Sequence, residues 1–172
     1  MNYTGKSAEI SECGQYRYFL SRWWNARMGG RLCVFIGVNP STADASEDDA
    51  TIRKMVGFAA RWGFDGIAVG NLFAHRATDV RELATAMNPI GPDNDGWLLD
   101  MMNLANLVVP CWGSSDKLPK ELRSRIAEVS AVISQTATPV KCLGYTASGD
   151  PKHPLMLGYV NELADFAKRS KP

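Results

Sequence analysis

The stretch that most constrains this chain runs from Arg31 to Asp44, RLCVFIGVNPSTAD. Leu32 to Ile36 is an unbroken apolar run rich in β-branched and aromatic residues, which reads as a buried central strand. Gly37 follows, where a backbone can turn sharply or approach a ligand closely. Asn39 and Pro40 then form a turn pair that carries an amide out of the strand end. Ser41 and Thr42 offer hydroxyls that can cap whatever comes next. In open α/β sheets ligands bind beyond the carboxyl ends of strands. A polar loop directly after a buried strand is therefore the first place to look for chemistry.

The remaining elements follow from periodicity. Gln15 to Leu20 reads as an extended segment with Tyr16, Tyr18 and Leu20 on one face, hairpinned as an edge strand onto the central one. Arg17, Arg22 and Arg27 lie among Tyr16, Tyr18, Trp23 and Trp24, a mixture that can stack bases and neutralise phosphates. The plainer expectation is aromatics packed on the sheet with the arginines in solvent. Ile52, Met55, Val56, Ala59 and Ala60 recur at helical spacing, with Asp48 or Asp49 as cap and Gly63 as the end. Ile67 to Val69 forms the second strand, with Asn71 at its end and Phe73, His75 and Arg76 in the loop beyond. A short helix is expected from Thr78 or Asp79, and a longer one over DGWLLDMMNLA. Leu107 to Cys111 is the third strand, exiting at Trp112 and Gly113. Leu122, Ile126, Val129 and Ile133 share one face of an amphipathic helix over LPKELRSRIAEVSAVISQ. PVKCLG is the fourth strand, YTASGDPKHPLML a long loop holding His153, and GYVNELADFAKR a terminal helix.

Alternating strands and helices indicate an α/β sandwich: a mainly parallel sheet of four strands plus an N-terminal antiparallel edge strand. At 172 residues the chain is expected to form one domain. A net charge of +1 gives no global pull toward nucleic acid. No apolar run approaches the roughly 20 residues of a membrane span. MNYTGKSAEISECG lacks the apolar core of a signal peptide, so the chain is expected in the cytoplasm, away from membranes. Cys13, Cys33, Cys111 and Cys142 include no CxxC pair and read as structural thiols. Neither a metal nor another cofactor is expected.

In this layout the loops after the four strands meet at one end of the sheet. Asn39, Asn71 to Arg76, Trp112 and His153 would ring one cleft. GxSxG, Walker and GxGxxG motifs are all absent. An asparagine can hold a water or read the donor–acceptor edge of a base. A histidine opposite can donate to a developing oxyanion or shuttle a proton, and Phe73 or Trp112 can stack on a planar ligand. The set fits recognition of a nucleobase and hydrolysis of its bond to a sugar. Asp44, Asp48 or Asp49 could activate the water if the acidic loop folds back over the cleft. Two other classes remain open: a non-catalytic module that binds a base or nucleic acid, and a protein-interaction factor built on Tyr18, Trp23 and Trp24.

The runs NPSTAD, DATIRK, NLFAHRAT, IGPDND and GDPKHPL together resemble an uncharacterised domain-of-unknown-function family, over about Tyr16 to Leu157. More distantly, the order of motifs is similar to the uracil-DNA glycosylase superfamily. That resemblance implies a three-layer α/β/α sandwich and a hydrolase that releases a base. GVNPS, Gly37 to Ser41 with Pro40 within it, looks like the first motif, in which Asn39 would position the water. NLFAHRA is similar to the second, in which Asn71 would read the base. KHPLML resembles the last, His153 stabilising charge on the leaving base and Leu155 wedging the duplex after Pro154. Ser41 stands in place of a glycine of the first motif, and Ala74 and His75 in place of lysine and cysteine of the second. With the near-neutral charge, these departures point to a modified base, single-stranded DNA, or a free nucleoside or nucleotide as the partner.

Overall fold

The computed structural model describes residues 1–25, 29–41 and 45–166. Thr42, Asp44, Arg27 and the end of the expected terminal helix fall outside them. Two antiparallel strands open the chain: β1 (Gly5–Ile10) and β2 (Arg17–Trp23). Then come β3 (Leu32–Gly37), α1 (Ala50–Arg61), β4 (Gly66–Asn71), α2 (Asn94–Leu104), β5 (Leu107–Pro110) and α3 (Ser124–Ile133). A two-residue pair, β6 (Lys141–Cys142) and β7 (Ala164–Asp165), closes it.

The five-stranded sheet has the order β1-β2-β4-β3-β5 and is mixed rather than mainly parallel. β3 pairs in parallel with β4 and with β5, whereas β2 is antiparallel to both β4 and β1. The N-terminal segment joins β4, which is the middle strand of the sheet, rather than β3, and β1 rather than β2 is the edge. The expected fourth parallel strand touches the sheet only through a bridge between Val108 and Val140, and Lys141–Cys142 pairs with β7 instead. β1 carries no strand signal in sequence, because GKSAEI is polar and half-exposed along its length, with no apolar alternation to mark it.

Side-chain alternation divides the sheet between two cores. Cys33 and Phe35, Ile67 and Val69, and Leu107 and Val109 cluster with Ile52, Met55, Val56, Phe58 and Ala59 of α1. Val34 and Ile36, Ala68, and Val108 cluster with Leu98, Met101 and Met102 of α2 and with Ile126, Val129 and Ile133 of α3. Helix α1 starts where the sequence placed it: the Asp49 carboxylate accepts the Ile52 N–H at 2.8 Å, and Gly63 follows the end with φ +77°. The helix expected from Leu118 begins only at Ser124, with Ser115–Lys117 and Lys120–Leu122 forming separate 3-10 turns on either side of Pro119.

The expected terminal helix is not formed over its described part, Gly158 to Phe166. Tyr159 lies edge-on to Phe58 beneath Lys54 and Arg61, and Leu163 packs on the α1-side core. Phe166 packs instead on the opposite core, edge-on to Trp112. Anchors on both sides of the sheet call for an extended path, and the apolar spacing that reads as helical reflects those separate anchors.

Candidate functional site

β3, β4 and β5 run in parallel, so their carboxyl ends lie together, and antiparallel β2 brings its first residue to the same end. Gly37 continues the α1-side face of β3 after Cys33 and Phe35, and Asn71 continues that face of β4 after Ile67 and Val69. The two residues pair across the parallel ladder. A cavity of about 180 Å³ opens between them and α1. At ~30 Å³ per water that is room for about six waters, a space for a fragment-sized ligand. Its walls include Gly37, Asn39, Ser41, Asn71 and His153, five of the residues singled out from sequence, together with Arg17, Asp49 and Thr51.

Asn71 is 5% exposed, and its Nδ2 is buried without a hydrogen-bond partner. A buried polar group left this way calls for an explanation, and a ligand is one. The surrounding backbone is held firmly. Asn94 Nδ2 donates to the carbonyls of Asn71 and Leu72 at 3.0 and 3.2 Å, and Arg125 Nε donates to the Leu72 carbonyl at 3.0 Å. Gly37 is required by proximity rather than by a turn, because a Cβ there would stand 2.9 Å from Asn71 Oδ1.

Asn39 donates through Nδ2 to the Ala77 and Pro40 carbonyls at 2.7 and 3.1 Å. This ties the β3 exit loop to the β4 exit loop and leaves Oδ1 as the acceptor of the amide. Ser41 Oγ donates to Asp49 Oδ2 at 2.6 Å, so Asp49 caps α1 and anchors the loop together. Of the three acidic candidates, Asp49 lines the cavity. Asp48 is turned to a buried cluster, bonded to Arg22 Nε at 2.7 Å and to the Tyr3 hydroxyl. Burial, and then the hydrogen bond to Asp48, push the Tyr3 phenol well above its ordinary range. Asp44 lies outside the described residues.

His153 Nδ1 accepts the Leu155 N–H at 3.3 Å, which leaves Nε2 to carry the proton of the neutral ring. Burial lowers its pKa first and Lys117 adds to that, while Asp49 opposes both. The ring is therefore set up as a neutral donor at neutral pH. His153, Asn39 and Val38 also wall a second, larger cavity of about 680 Å³, whose other walls include Trp112, Ser114, Lys117, Leu155 and Met156. Trp112 is 4% exposed, with Nε1 buried and unpartnered. Asp79, on the rim of that cavity, has its pKa lowered to about 2 by hydrogen bonds from Arg81.

Other expected site residues stand elsewhere. Phe73 is 1% exposed within the α2/α3-side core and lines neither cavity, so it is not available for stacking. Pro40 and Pro154 are buried supports of their loops. His75 and Arg76 line a separate depression with Gln15 and Glu82, which shares Ser41 with the smaller cavity and Thr78 with the larger one. Two of the arginines expected in solvent are not there: Arg17 is 3% exposed and Arg22 fully buried. Cys13, expected as a structural thiol, is exposed, while Cys33, Cys111 and Cys142 are buried. Among the described residues no group of three His, Cys, Asp or Glu side chains is placed to hold a metal ion. No helix among them is long and apolar enough to cross a membrane.

A family model described as protein of unknown function (DUF1643) matches residues 17–155, which include every residue lining the smaller cavity. The chain belongs to the DUF1643 family. No curated protein and no solved structure matches it. The matched span begins at Arg17, the first residue of β2, and ends at Leu155, within the 3-10 turn Pro154–Met156 that follows His153.

Proposed function

We propose that this DUF1643 protein is an N-glycosidic hydrolase of the uracil-DNA glycosylase type. The observation that carries the reading is the convergence of Asn39, Asn71 and His153 on one small cavity, in which the Asn71 amide holds an unpartnered buried donor. On this reading the two cores beside the sheet correspond to the α/β/α layering of that superfamily. The base occupies the smaller cavity, where Asn71 reads its edge. Asn39 Oδ1 orients a water, and Asp49 takes its proton as the oxygen attacks the anomeric carbon. The glycosidic electron pair passes to the base, and His153 donates from Nε2 to the base oxygen that gains charge. The larger cavity receives the sugar and phosphate, with Lys117 as the cation and Leu155 at its rim as the wedge. The partner is single-stranded DNA carrying a modified base, or a nucleotide.

One observation favours a second reading, a base-binding module without turnover. Both Asp49 oxygens already accept hydrogen bonds, from Ser41 and from Ile52, which leaves fewer lone pairs to receive a water. A base-release assay separates the two. The protein is incubated with single- and double-stranded oligonucleotides carrying uracil, hypoxanthine or hydroxymethylated pyrimidines, beside the Asn39→Ala, His153→Ala double variant. Release that the double variant loses supports the hydrolase. Oligonucleotide binding without release by any form supports the module.

A further inference from the structure

Arg17 enters the cavity through an irregularity of its strand. Leu20 belongs to the α1-side core, and Phe19 faces the other way, stacked on Trp97 of α2 at 5.8 Å. Strict alternation would then put Arg17 on the α2 side with Phe19. The ladder is broken instead: Glu9 pairs with Phe19 and Ile10 with Arg17, which leaves Tyr18 as an extra residue on β2. A bulge of this kind re-aims the side chains beyond it. Tyr18 stacks on Tyr16 at 6.0 Å and stands against Gly91 before α2. Arg17 is thereby moved to the α1 side, where it walls the cavity with Val69, Ile52 and Met55 and is 3% exposed. Bulges beside sites of chemistry commonly serve to deliver one side chain.

We infer that Arg17 carries the negative charge of an oxo-substituted base in this cavity and so acts as a further catalytic residue. The inference rests on the nucleobase reading above. As the bond from the anomeric carbon to the base nitrogen breaks, its electron pair delocalises onto a base carbonyl oxygen, while the water oxygen bonds the carbon and its proton goes to Asp49. A neutral His153 offers that oxygen a hydrogen bond but no charge. The guanidinium supplies the charge, and the desolvated wall makes it count for more than it would in water.

The test is equilibrium binding of two free bases that ionise near neutrality, 5-nitrouracil and xanthine. Each is followed from its neutral to its anionic form on wild type, Arg17→Met and Arg17→Lys, with folding checked by thermal melts. His153 and Asp49 stand on the same walls in every form, so the difference between forms isolates Arg17. Wild type is expected to bind the anion about ten- to a hundredfold more tightly than the neutral base. Arg17→Met should lose that preference while keeping affinity for the neutral base, and Arg17→Lys should keep part of it. A wild type without anion preference, or an Arg17→Met that keeps it, overturns the role of Arg17 and leaves the base site standing. Failure of both bases to bind in either form overturns the base site with it. Should Arg17→Met not fold, the wild-type preference and its partial loss in Arg17→Lys decide the matter.

Discussion

At the scale of single residues the site depends on what Gly37 lacks. Its φ is unremarkable, so Gly37→Ala is a purely steric change that drives a methyl toward Asn71 Oδ1. It should weaken base binding at least about tenfold in a titration while leaving the far-ultraviolet spectrum unchanged, with Asn71→Ala as the limiting case. His153 makes a pH-dependent contribution. Burial and Lys117 hold its folded pKa below the ordinary value of 6.5, so the unfolded chain holds more protons as pH falls through that window. Stability is therefore full above the ordinary histidine value and falls as pH drops toward the folded pKa. Denaturant titrations of wild type and His153→Asn should converge on the acidic side. Asn39 and Asn71 were legible in sequence because polar residues just beyond apolar strands stand out, whereas His153 was marked by the KHPLML run in a long loop. Arg17 was not, because one extra residue in a ladder leaves no periodic mark.

At the scale of elements, Asp49 joins the start of α1 to the β3 exit loop. Asp49→Ala should lose the cap, worth about 1 kcal/mol, and lower the melting temperature by about 2–4 °C. Asp48→Ala is expected to be worse, because Arg22 is fully buried and the carboxylate bonded to its Nε would be gone. A buried pair broken on one side costs about 3–5 kcal/mol, and chemical denaturation of the two variants should rank them in that order. α1, β3, β4 and β5 could be read from sequence because each has one period throughout. The C-terminal segment could not: Leu163 and Phe166 sit three apart, as on a helix face, yet serve opposite cores.

At the scale of the whole molecule the charge is nearly balanced, +1 over 172 residues. Lys117 is the cation on the wall of the larger cavity, and Asp79 on that wall holds Arg81 in an ion pair. Oligonucleotide affinity should therefore fall only gently with salt, with a log–log slope of about −1 to −2, as for one or two neutralised phosphates. A slope several times steeper would contradict this expectation. The central claim is that the cavity between β3, β4 and α1 holds a nucleobase. The most direct measurement is the side-chain amide resonance of Asn71, assigned by its loss in Asn71→Ala and followed during titration with uracil and hypoxanthine. A saturable shift of that resonance, together with those of Asn39 and the Gly37 backbone, is the predicted result. An Asn71 amide unmoved by either base, or shifts confined to the opposite face of the sheet, would contradict the account.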